Sequence, residues 1–314
     1  MMNASGKKWA FIAAIVLSFV LAQFQGEINP YFLQIIIYVG INTILASSLN
    51  LINGFTGQFS LGHAGFMSLG AYTASMITIT FQATPGATSS YVMFPVALLV
   101  GGIVAAVAGV LVGIPSLRLK GDYLAITTLG LGEIIRVIIQ NLDFVGGARG
   151  LVGIPKLSDF FWVFSVVAIV IFMISNMIHS TYGKGFLAVR DDEVAAQAMG
   201  INTTKYKVIA FVIGAFFAGV AGGLYAHFVS YITPSQFGFI KSIEIVVMVI
   251  VGGMGNTVGV ILAAIVLTIL PEALRGVAEY RMVLYSLMLV VIMISRPQGL
   301  FGTGFKRFFK KQAA

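Results

Sequence analysis

Residues 181–207 read TYGKGFLAVRDDEVAAQAMGINTTKYK. This is the longest polar interruption in an otherwise apolar chain, and it lies between two long apolar segments. It carries Lys184, Arg190, Asp191, Asp192, Glu193, Lys205 and Lys207. Gly183 and Gly185 are expected to break the segment before it. From Asp191 the pattern turns helical. Asp191, Asp192 and Glu193 suit the positive end of a helix dipole. Val194, Ala195, Ala198 and Met199 recur at helical spacing on one face, and Gly200 is a C-terminal stop. The spacing predicts a short amphipathic helix of about two to three turns. Two readings follow. The helix is a solvated joint between two spans, or it docks its small apolar face, edged by charge, in a groove on a partner protein.

The chain around this stretch is 314 residues long, 58% hydrophobic and 10% charged, with a mean hydropathy of +0.97. Soluble domains carry about 25% charge. Long apolar runs recur from end to end, so the expected fold is an all-α polytopic membrane protein. The 36 glycines suit close helix packing in lipid. The absence of cysteine excludes disulfides and thiolate metal sites. His63, His179 and His227 are far apart in sequence, without metal-site spacing. The net charge of +8 fits basic cytoplasmic loops better than nucleic acid. The opening MMNASGKKWAFIAAIVLSFVLAQFQ has the basic and apolar parts of a signal peptide. It lacks small residues at a cleavage site around Ala22, Gln23 and Phe24, and reads as a retained first span.

Ten candidate spans follow from the apolar runs: 9–25, 31–52, 60–82, 91–113, 121–142, 159–179, 206–229, 239–253, 257–274 and 281–296. The fifth and eighth are polar or short; without them the count is eight. Either even count leaves both termini on one side. With ten spans Lys7, Lys8, Arg118, Lys120, Lys184, Arg190, Lys205, Lys207, Arg296, Lys306, Arg307, Lys310 and Lys311 share that side, which the positive-inside rule makes cytoplasmic. Arg149, Lys156, Lys241, Arg275 and Arg281 fall on the other. The whole chain, 1–314, reads as a single transmembrane domain with a cytoplasmic segment at 181–207.

Three motifs could carry chemistry. Residues 50–65, NLINGFTGQFSLGHAG, are polar and glycine-rich between apolar runs. Asn53, Gln58, Ser60 and His63 can satisfy backbone groups freed where a helix breaks. The stretch is either a packed turn or the lining of a route near a cytoplasmic gate. Glu133 and Arg136, three apart, share a helix face inside a span. They form either a structural ion pair or a polar lining of the path. Lys241 and Glu244 repeat that spacing at the edge of the eighth span, as a bridge or a contact for an external partner. Gly252-Gly-Met-Gly-Asn256 is a short break, either a tight turn or a hinge. It resembles 54–65 in composition. Two small-residue stripes, Gly214/Ala218/Gly222 and Ala215/Gly219/Gly223, and a third at Gly109/Gly113, are packing signals. No G-x-x-x-x-G-K-[ST], G-x-S-x-G or H-E-x-x-H occurs. The chain is therefore expected not to be an enzyme, and energy for pumping would come from another subunit. A self-contained secondary transporter is the competing class, disfavoured by the scarcity of intramembrane acids.

Several of these stretches resemble one family. Residues 188–193 (AVRDDE), with Ala195, Ala196, Ala198 and Gly200-Ile-Asn202, are similar to the cytoplasmic coupling segment of LivM-type permeases. Residues 48–71, 119–130, 146–153 and 251–259 extend the resemblance over roughly 40 to 300. These permeases are membrane subunits of ABC importers for branched-chain amino acids; related ones carry urea or short amides. The resemblance implies alternating access driven by two separate ABC ATPase subunits, which use ATP and Mg, with no cofactor on this chain. It implies a second, homologous permease and a periplasmic or lipid-anchored substrate-binding protein. The bacterial inner membrane is the implied location. The ATPase-coupling residues are then Arg190, Asp191, Asp192, Glu193, Ala195, Ala196, Ala198, Met199 and Gly200. Asn53, Gln58, Ser60, His63, Glu133 and Arg136 are candidates for the path or gate.

Overall fold

The computed structural model describes residues 4–86, 88–116, 119, 121–277, 280–295 and 299. Arg118, Lys120, Arg296, Lys306, Arg307, Lys310 and Lys311 lie outside them. The described chain is helical: α1 (Ala4–Gln23), α2 (Pro30–Asn50), α3 (His63–Thr80), α4 (Thr88–Ser116), α5 (Asp122–Gln140), α6 (Phe160–His179), α7 (Thr181–Asp191), α8 (Glu193–Ala198), α9 (Thr203–Val229), α10 (Phe239–Gly252), α11 (Thr257–Ala273) and α12 (Arg281–Ser295). Among the described residues the extended pairing is a single antiparallel bridge between Leu151 and Ile232. Each of the ten expected spans falls on a helix. Among the described residues six stretches are long and apolar enough to cross a membrane: Pro30–Phe55, Ser90–Ile114, Phe160–His179, Thr203–Val229, Pro234–Gly252 and Thr257–Gly276. The chain is a multi-pass membrane protein.

The core forms around α9, and its small-residue stripes explain why. A methyl group added at Gly222 would land on the Met67 carbonyl of α3, and one at Gly70 on the Gly219 backbone. Gly219 also faces Ala105 and Gly101 of α4, while Gly109 faces Ala215. So α3, α4 and α9 approach at backbone distance, where a larger residue has no room. Aromatic rings close the sides: Phe66 meets Phe211 edge-on at 5.7 Å, and Phe94 meets Trp162 at 5.5 Å. On the periphery α1 runs antiparallel to α6. Phe11 stacks on Phe172, the Ser18 and Ser165 hydroxyls lie 3.3 Å apart, and Phe19 meets Phe161.

Two expectations about 181–207 are corrected. Gly183 and Gly185 do not break the preceding segment; both lie inside α7 and are buried. The break falls at Ser180, whose backbone is extended between α6 and α7. The glycines serve packing: a side chain at Gly183 would strike the Ile178 carbonyl, and one at Gly185 the Tyr206 ring. Nor is there one helix from Asp191 to Met199. Asp192 is extended (φ −158°, ψ 110°) and separates α7 from α8, which has only 6 residues. The Asp192 carboxylate accepts from Val194 N–H at 2.9 Å and Ala195 N–H at 3.0 Å. An aspartate with its carboxylate free to cap starts a new helix rather than continuing the old one. Gly200, at φ +81°, ends α8 as expected.

Candidate functional site

The expected gate segment assembles at the end of the bundle that carries α7 and α8. The last turn of α2 widens into a π-helix at Leu51–Phe55. Such insertions loosen the backbone ladder and recur at functional sites. Gly57, at φ +70°, turns the chain away, and residues 57–62 return to α3. The four polar residues read from the sequence are all buried in or beside this turn. Asn53 accepts from Ser60 N–H at 3.2 Å and donates to the Ser60 carbonyl. His63 Nε2 lies 2.9 Å from Ser48 Oγ. Gln58 donates to Thr56 Oγ1 at 2.8 Å and to the Lys207 carbonyl at 3.4 Å. Thr128 of α5 accepts from Leu61 N–H at 3.0 Å, and Ser242 of α10 from Ala64 N–H at 3.2 Å. Neither Thr128 nor Ser242 was legible as a partner, since a lone hydroxyl in an apolar run carries no pairing signal.

The two glycine-rich turns that look alike in sequence pack on each other. Asn50 Oδ1 accepts from Gly255 N–H at 2.9 Å. A side chain at Gly54 would collide with that same Gly255 nitrogen. Arg190 lies against both turns. An added Cβ at Gly57 would sit 3.1 Å from Arg190 Cγ, and one at Gly255 would sit 3.0 Å from its Nη1. The outer edge of the guanidinium pairs with Asp191 at 2.8 Å. The last turn of α7 therefore touches both loops at once.

The expected coupling residues divide by exposure. Val194 is 68% exposed and Met199 82%, with Ala195 and Ala198 beside them. Ala196 points the other way and is buried, so it holds α8 to its own chain and is not part of the outward face. Glu193 also turns inward: its Oε1 lies 2.7 Å from Lys207 Nζ at the start of α9. Gln197 donates to Thr203 Oγ1 at 2.9 Å. The result is a small apolar face held rigidly from behind.

Glu133 and Arg136 do pair, at 2.6 Å. Glu133 has a second role that spacing did not reveal: its Oε1 accepts from Phe239 N–H at 2.9 Å, at the start of α10. Gly238 precedes that helix and has no side chain to cap it. A carboxylate from α5 supplies the missing acceptor and complements the dipole. Among the described residues no hydrogen bond links this pair to the turn around Asn53. Lys241 pairs with Glu244 at 3.0 Å and donates to Asn42 at 3.2 Å; Asn42 donates to Thr268 at 2.9 Å. The second pair thus joins α10, α2 and α11.

Residues 31–293 match the family described as branched-chain amino acid transport system / permease component. The chain is 35% identical over 292 residues to the high-affinity branched-chain amino acid transport system permease protein LivM of Salmonella typhimurium, covering 82% of this chain and 67% of that protein. It is 24% identical over 282 residues to LivH of the same organism, covering 82% of this chain and 90% of that one. The ribose import permease protein RbsC of Haemophilus influenzae is 25% identical over 318 residues, covering 91% of each. No solved structure matches.

Proposed function

The chain belongs to the family of branched-chain amino acid transport permease components, and from that premise we propose that it is one membrane subunit of an ABC importer for branched-chain amino acids. The likeness to LivM over most of the chain supports the substrate class. The end carrying α7 and α8 faces the cytoplasm of the bacterial inner membrane. Ten helical passages, with α1 antiparallel to α6, return both termini to that side. The exposed face of Val194, Ala195, Ala198 and Met199, with Gly200 closing the helix, meets one of two ATPases, which alone bind ATP and Mg. A second permease of LivH type completes the pair, and a substrate-binding protein docks at the far end.

The observation that carries this reading is the seat of Arg190 between the two glycine turns. Closure of the ATPases pushes α8. Its rigid anchors to α9 pass the push to α7, and Arg190 delivers it to residues 54–57 and 253–256 together. The buried set of Asn53, Gln58, Ser60 and His63 opens or closes the path at that level. Alternating access is then a rearrangement of two packed loops, each with discrete arrangements.

Purification of the tagged chain from its native membrane in mild detergent tests this. Two ATPases and a sister permease are expected with it, and the reconstituted complex should take up leucine only with ATP. A chain that arrives alone and moves solute down an ion gradient would replace this reading with that of a secondary transporter.

A further inference from the structure

At the far end of the bundle, α2 and α11 part around a cleft of about 300 Å³. Tyr31, Gln34 and Tyr38 come from one face of α2; Thr268, Glu272 and Arg275 come from one face of α11 and the turn after it. Tyr31, Tyr38, Thr268 and Glu272 are half-buried there, while Gln34 and Arg275 are exposed at the mouth. The rim holds one acid and one base. Tyr31 donates its hydroxyl to Glu272 Oε2 at 2.6 Å, and the Arg275 guanidinium lies over the Tyr31 ring, 5.2 Å from its centroid. One tyrosine therefore positions both charges. Glu272 is partly buried and Arg275 exposed. Below them Gln34 donates to Tyr38 at 3.2 Å, and Ile35 adds an apolar wall. The floor leads on: Thr268 accepts from Asn42, Asn42 accepts from Lys241, and Lys241 pairs with Glu244.

We propose that this cleft is the outward-side station where the permease first holds its cargo as a zwitterion, a proposal that rests on the importer reading above. The ammonium of an α-amino acid binds the Glu272 carboxylate, which accepts from Tyr31 and keeps lone pairs for a further donor. The carboxylate takes the Arg275 fork in bidentate fashion. The aliphatic side chain lies on Ile35 and the tyrosine rings. The volume is at the lower end of ligand pockets, ~300–1,000 Å³, as a small solute requires. From there the polar line through Thr268, Asn42 and Lys241 leads into the bundle.

The test is equilibrium binding of radiolabelled leucine to the purified complex of both permeases and both ATPases, without the binding protein. Competitors are 4-methylpentanoate, which lacks the amine, and isopentylamine, which lacks the carboxylate. The wild-type complex should bind leucine saturably and reject both competitors. Glu272→Gln and Arg275→Gln should each weaken binding about tenfold or more and lose discrimination against the competitor lacking the matching charge. Arg275→Lys should keep part of the affinity. Unchanged subunit composition and thermal unfolding of the complex show that the variants are folded. A wild-type complex that transports leucine but does not bind it here, or variants that bind and discriminate as wild type, would overturn the station. A wild-type complex that neither binds nor transports any branched-chain amino acid would instead overturn the importer reading.

Discussion

Lys207 Nζ lies 2.7 Å from Glu193 Oε1, and only 10% of the lysine side chain is exposed. The pair fastens α8 to the second turn of α9 at the point where Gln58 reaches the Lys207 carbonyl. Removing the acid alone leaves a nearly buried ammonium without its counter-charge. Glu193→Ala should therefore lower stability by about 1–3 kcal/mol and open residues 192–202 to protease. Lys207→Met in the same background should recover part of the loss, because the stranded charge is gone. Thermal unfolding and limited proteolysis in detergent measure both; equal stability of Glu193→Ala and wild type would refute the fastening.

Met199 and Val194 should behave in the opposite way. Their side chains are exposed. Met199→Asp should leave the stability within about 0.5 kcal/mol of wild type and abolish recovery of the ATPases. Full ATPase recovery with this variant would move the docking surface elsewhere.

Glycines predict opposite signs at two positions. Gly70→Ala drives a methyl into the Gly219 backbone and should cost about 1–3 kcal/mol, as overpacking does. Gly130 lies within α5 with open space around it, so Gly130→Ala should stabilise by about 0.5–1 kcal/mol through helix propensity. Melting of both variants in one detergent decides; a shift of the same sign in both would contradict the packing around α9.

For Glu133 the ranking of two substitutions separates its roles. Glu133→Gln keeps an acceptor for Phe239 N–H and loses the charge facing Arg136. Glu133→Leu loses both. The leucine variant should be the less stable by about 1 kcal/mol, the worth of one hydrogen bond. Equal melting of the two would mean that α10 does not depend on the Glu133 oxygen.

The helices, the stop at Gly200 and the packing stripes were legible because each depends on local pattern or on steric size, which one sequence displays. The pairings were not. Nothing in 54–65 or 252–259 announces that each is the other's partner beyond a shared richness in glycine, a property of many turns. Gly183 and Gly185 read as breakers because glycine ends helices in water; between tightly packed helices the same residue admits a neighbour's ring. Ala196 entered the coupling set through the family resemblance, not through the helical face of Val194, Ala195, Ala198 and Met199, and its burial shows that it lies behind that face. The cleft at Tyr31 went unread because its acid and base sit at the ends of spans, where charges are ordinary.

The hydrogen bond from Gly255 to Asn50 joins residues 205 positions apart, and this sets an order on biosynthesis. The π-helical end of α2 emerges from the ribosome long before the turn that completes it. Until α10 and α11 are inserted, the Asn50 side-chain oxygen lacks the Gly255 N–H that it accepts from in the finished fold. A nascent chain halted before residue 255 would present this unfinished surface to membrane quality-control proteases, whereas the finished protein covers it.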